Sequence, residues 1–161
     1  MNKRRPWVVL VVAVLAVAGV LVWHRSADET VKTTKSPAVG TPVTQDGIFE
    51  YTVTAHDCGV TAIEGATATG QFCTVAIIVH NLSDTARKPG IAFAKAYDTQ
   101  GTAHPADAVA EVRIGTHLLD DLAAGASITD ELVYDVPKTT SLTSVVLRES
   151  TGSAGITVPL G

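Results

Sequence analysis

GQFCTVAIIVHNLSD, residues 70–84, is the stretch that decides the fold. Successive side chains of an extended chain point to opposite sides, so Cys73, Val75, Ile77 and Val79 share one face and Thr74, Ala76, Ile78 and His80 the other. Both faces are fairly apolar, as in a strand buried on two sides, and the segment is expected at the centre of a sheet. Asn81-Leu82-Ser83-Asp84 then closes it with residues that favour turns.

Working outward, the turn signal Asp46-Gly47 precedes IFEYTVTAH, which places Phe49, Tyr51, Val53 and Ala55 on one face against Glu50, Thr52 and Thr54. This is a half-buried strand. Between the two runs GVTAIEGATATG is small, polar and punctuated by glycine, a hairpin-like connection that brings Cys58 alongside Cys73. Lys88-Pro89-Gly90 leads into a third strand, IAFAKAYD, ended by Thr-Gln-Gly-Thr at 99–102. ADAVAEVRIG is alanine-rich, but Val109, Val112 and Ile114 do not gather on one helical face, so it is expected to be irregular with room for a helical turn. SITDELVYDVP, with Ile128, Leu132, Tyr134 and Val136 in phase and stopped by Pro137, is a further strand, and LTSVVLRES and GITVPL supply two more. Six or seven short strands separated by turn residues, without a long helix, argue for an all-β antiparallel sandwich. With aromatic residues at only 5%, its core must be built from Val, Ile, Leu and Ala.

The remaining apolar weight lies at the start. WVVLVVAVLAVAGVLVW, residues 7–23, carries no charge. As a helix rising about 1.5 Å per residue it nearly spans a hydrocarbon layer of roughly 30 Å, with Trp7 and Trp23 as interfacial anchors. Lys3, Arg4 and Arg5 precede it, so its leading end is expected in the cytoplasm and the rest outside. The alternative is a cleaved signal at Ala16-Val17-Ala18, which would leave a greasy new terminus. Next comes SADETVKTTKSPAVGTPVTQ, poor in large apolar residues, which reads as a stalk. The expected organisation is a signal anchor over 1–25, a flexible linker over 26–45 and a β-sandwich over 46–161.

Export gives the two cysteines a meaning. Cys58 and Cys73 are the only ones in the chain, and in an oxidising compartment such a pair forms a disulfide. Charge narrows the partners. Of the 12 Lys and Arg, four lie at or before Arg25, leaving eight against all 16 Asp and Glu, so the exported part is acidic and would repel a nucleic acid.

Signatures of catalysis are missing from the sequence. There is no Gly-x-Ser-x-Gly elbow, and GATATGQF imitates a phosphate loop only until Gln71 stands where lysine is required. His56, Cys58, Cys73 and His80 superficially offer a zinc set, but Cys73 and His80 are seven apart in one strand and point to opposite faces. His104 and His117 read as surface residues in loops. Asp120-Asp121 and Asp130-Glu131 lack the spacing of a calcium loop, and Asn81-Leu82-Ser83 reads as a turn and not as a glycosylation acceptor. No catalytic, cofactor or metal residue is therefore assigned.

The order of parts resembles a known family. Asp-Gly-Ile-Phe-Glu-Tyr-Thr-Val at 46–53, the cysteine after it, Gly-Gln-Phe and Asn-Leu-Ser within 70–83, Tyr-Asp-Thr-Gln-Gly at 97–101, Leu-Ala-Ala-Gly-Ala-Ser at 122–127 and Leu-Val-Tyr-Asp-Val-Pro at 132–137 carry the resemblance. The family is a domain of unknown function, common in exported lipoproteins and membrane-anchored proteins of Gram-positive bacteria and similar to the immunoprotective extracellular antigen of mycobacteria. The resemblance implies an immunoglobulin-like sandwich without a known catalytic site. The sequence departs from the lipoprotein members in having no cysteine directly after its apolar block, so the helix itself would be the tether. The expectation is thus a tethered extracytoplasmic binding or structural module with a protein or cell-envelope partner. A calcium-binding or Cys/His metal-binding envelope protein is the alternative.

Overall fold

A computed structural model describes residues 36–45, 47–90, 94–150 and 152–161. The expected membrane helix, residues 26–35 of the linker and the first residues of the expected third strand lie outside the described residues. Among those described, no helix is long and apolar enough to cross a membrane.

The chain builds β1 (Phe49–Ile63), β2 (Ala66–Asn81), β3 (Lys95–Asp98), β4 (Ala103–Pro105), α1 (Ala108–Arg113), β5 (Ser127–Val136), β6 (Leu142–Leu147) and β7 (Ile156–Pro159). β1-β2-β5 form one antiparallel sheet and β4-β3-β6-β7 another. β2 is central in the first; its Cys73–Val79 face is buried, while Thr74, Ala76, Ile78 and His80 on the other face are half-buried. Cys73, Val75, Ile77 and Val79 bury their side chains in the main core with Phe49, Tyr51 and Val53 of β1 and Leu132, Tyr134 and Val136 of β5. The second sheet adds Ala96, Val145, Leu147 and Val158 to the same core, which makes the body a β-sandwich.

β1 and β2 are one long hairpin whose turn is Glu64-Gly65, both with positive φ (43° and 78°). That geometry suits a two-residue hairpin turn. Three register shifts interrupt β1, the first between Val53 and Ala55. That bulge breaks the period of two, so Ala55, expected beside Val53 in the core, is exposed.

Two other differences from the sequence reading have clear causes. Residues 40–43, assigned by composition to the linker, join the folded body: Val43 and Tyr51 exchange backbone hydrogen bonds at 2.8 Å, and Thr41 and Val43 are buried. The segment 106–115 contains a true helix. Asp107 caps it, its Oδ1 accepting the N–H groups of Val109 and Ala110 at 3.0 Å. Its inward residues are Ala110 and Glu111, while Val109 and Val112 are 66% and 59% exposed. Apolar residues therefore lie on the wrong side for a periodicity argument. Ala110 packs with Ala66, Phe72 and Val133 in a second, small core.

Candidate functional site

The sequence-predicted pair comes together. Cys58 and Cys73 lie directly opposite in the β1–β2 ladder with Cα atoms 4.0 Å apart, and their sulfurs form a disulfide. Cys73 is fully buried under the sheet. With both sulfurs bonded to each other, no thiolate is left for a metal. The two histidines once grouped with them are separated: His56 is exposed opposite Val75, and His80 sits opposite Glu50, its Nδ1 3.8 Å from that carboxylate.

One member of each acidic pair is engaged within the fold. Asp130 Oδ2 accepts the Thr116 hydroxyl and the His117 N–H, and Asp120 Oδ2 lies 3.2 Å from His117 Nδ1. Asn81 is fully buried: its amide donates to the carbonyls of Thr85, Leu122 and Ala123, and its oxygen accepts from Ser83. The turn reading of Asn81-Leu82-Ser83 holds, because an amide committed to three carbonyls is closed to glycan attachment in the folded protein.

Asp98 was not singled out by sequence, and His104, read there as a surface loop residue, lies instead on β4 with its side chain 12% exposed. The β3–β4 hairpin folds Asp98 and His104 together, with Nε2 3.0 Å from Oδ2. Asp98 Oδ1 also accepts the N–H groups of Gln100 at 2.8 Å and Thr102 at 2.9 Å. His104 and these backbone donors hold the Asp98 carboxyl down at about 2, below the ordinary carboxylate range. In the tautomer that carries its proton on Nε2, the imidazole donates to Asp98 and leaves Nδ1 as an acceptor. The available signal was Asp98 at the first position of a turn, where its side chain bonds backbone N–H groups ahead of it.

This couple forms one wall of a depression of about 300 Å³, completed by Thr99, Gln100 and Thr102 of the hairpin and by Pro137, Thr139 and Thr140 beyond β5. The Thr140 carbonyl is pinned by the Gln71 amide at 2.9 Å. Pro137 also borders a second, shallower depression of about 550 Å³, lined by Thr69, Gly70, Asp135 and Lys138. Burial works against the Asp135 charge, but the N–H groups of Thr69 and Gly70 at 2.7 and 3.1 Å hold its carboxyl below the ordinary value. Gly70 is needed here because a Cβ would collide with the Val136 carbonyl oxygen. The two depressions border the same proline, Pro137, where β5 leaves for β6. Asp98 and His104 are both engaged in the turn of the β3–β4 hairpin.

A family model described as a domain of unknown function (DUF4352) matches residues 38–156. Two solved structures share the fold. One is MPT63, a secreted protein from Mycobacterium tuberculosis, with a TM-score of 0.58 at 13% identity over 79% of this chain and 99% of that one. The other is the yjhA protein from Bacillus subtilis, with a TM-score of 0.60 at 16% identity over 78% of this chain and 99% of that one. No curated protein matches the chain at a significant level.

Proposed function

The chain belongs to the DUF4352 family of domains of unknown function, and from that premise we propose that it is a non-catalytic extracytoplasmic module of a bacterial cell envelope. In this reading residues 7–23 tether it to the membrane, the leading basic residues stay in the cytoplasm, and an immunoglobulin-like sandwich presents its loops to an envelope component or another protein. The observation that carries it is the Cys58–Cys73 disulfide, which uses every cysteine of the chain and belongs to an oxidising compartment. The secreted character of MPT63 supports the same compartment.

The test is made in intact cells. A thiol-reactive mass tag is expected to label the protein only after reduction, and protease added from outside is expected to remove the sandwich. Free thiols together with a protease-resistant body would place the domain in the cytoplasm and end this reading. Ala16-Val17-Ala18 favours one variant, release after signal cleavage, which would be recognised by a shortened protein in the medium.

A further inference from the structure

We propose that the two depressions bordering Pro137 act as one groove that binds a linear, neutral, hydroxyl-rich glycan; this rests on the binding-module reading and gives it a ligand class. Around the Asp98–His104 couple, the hydroxyls of Thr99, Thr102, Thr139 and Thr140 and the Gln100 carboxamide make no hydrogen bond among the described residues, and neither does His104 Nδ1. Hydroxyls and carboxamides both donate and accept, and the imidazole nitrogen accepts, so the set matches a ligand that itself carries groups of both kinds. Sugar hydroxyls do.

Charge excludes the main competitors. No lysine or arginine lines the depression beside His104, and the one cation of the groove, Lys138, shares its own depression with Asp135. A phosphate or carboxylate would therefore meet one positive group next to a negative one. A cation is no better served, because the Asp98 and Asp135 oxygens are already taken by backbone N–H groups and an imidazole. The Pro137 ring, exposed between the two depressions, gives an apolar surface for the C–H face of a sugar. Size agrees: about 300 Å³ lies at the small end of ligand sites, and the continuation past Pro137 suits a chain and not a single ring.

The frame is also rigid, which lowers the ordering cost of binding. The hairpin wall is held by Asp98, and the Thr143 hydroxyl donates to the Tyr97 and Asp98 carbonyls at 3.1 and 3.2 Å. Gln71 fixes the facing loop through Thr140.

The experiment uses full-length protein labelled with ¹⁵N-histidine in a detergent without a sugar headgroup, titrated with chitotetraose, maltotetraose and inorganic phosphate. Of the five imidazoles, His104 alone is expected to shift, saturably, with a tetrasaccharide and not with phosphate. A Thr139→Val/Thr140→Val protein, changed only at the groove rim, is expected to bind at least about tenfold more weakly. Its other histidine resonances should be unchanged, which shows that it is folded. The proposal is overturned if neither sugar moves His104, if phosphate moves it instead, or if the double variant binds as well as the parent. Because purified protein is used, a failure here leaves the compartment experiment to stand or fall by itself.

Discussion

Glu111 Oε1 accepts the backbone N–H of Val133 at 3.0 Å from a position with no solvent exposure, while Oε2 has no partner among the described residues. The carboxyl thus caps the open side of β5, where the Asp107 N–H takes the Val133 carbonyl at 2.7 Å. Helix and loop together satisfy both outward backbone groups of Val133 on the edge strand β5.

Burial pushes Glu111 up to about 8 against the Val133 hydrogen bond, with Asp130 and Asp107 adding in the same direction. The folded protein then keeps a proton that the unfolded chain releases near the ordinary value of 4.5. Stability from this group is full below 4.5 and is lost as pH rises through about 8. Urea melts at pH 5 and pH 8 should differ by on the order of 3 kcal/mol through this group. Glu111→Gln should flatten the slope, and an unchanged slope would refute the assignment.

Asp98 has the opposite sign. Its carboxyl is lowered from 3.8 to about 2, chiefly by His104, so its contribution is present above 3.8 and disappears as pH falls through about 2. Asp98→Asn should be less stable than the parent at pH 6, with the gap closing as the pH approaches 2. A gap that is constant across that range would contradict the pairing.

Reduction of the disulfide opens a link between residues 15 apart. The chain-entropy argument gives about 3 kcal/mol for such a loop. Guanidinium unfolding with and without reductant measures it, and equal midpoints would show that the hairpin is held without the bond.

Asn81→Ala should cost about 2–3 kcal/mol, because three carbonyls lose their donor in a buried setting. Thermal unfolding reads this directly. A loss below about 0.5 kcal/mol, the level of an ordinary surface change, would mean that water replaces the amide.

Gly70→Ala tests the groove's close approach. The added methyl meets the Val136 carbonyl, and a loss of about 1–3 kcal/mol is expected from overpacking. A neutral result would show that β5 yields at its end.

The strands were legible because deeper burial of one face than the other writes period two into β2 and most of β5, and few competing signals disturb it. Ala55 was misplaced because a bulge leaves no compositional trace. The helix was only half seen, since Val109 and Val112 face outward while Glu111 faces inward, and a pattern argument reads apolar as inside. Val43 was hidden in a stretch rich in Pro, Thr and Gly, where one buried side chain does not outweigh its neighbours. The Cys58–Cys73 pairing was legible from counting and compartment, whereas Asp98 and His104 meet only through a hairpin register that spacing alone does not provide.

The attachment of residues 40–43 to β1 has a mechanical side. The Gly40 N–H donates to the Val53 carbonyl at 2.7 Å, and two more bonds join Val43 and Tyr51. Any tension arriving from the leading part of the chain must strip these three clasps before it reaches the long hairpin. A tug would therefore spend itself on a sacrificial seam at the rim, and the stapled interior behind Tyr51 would keep its shape.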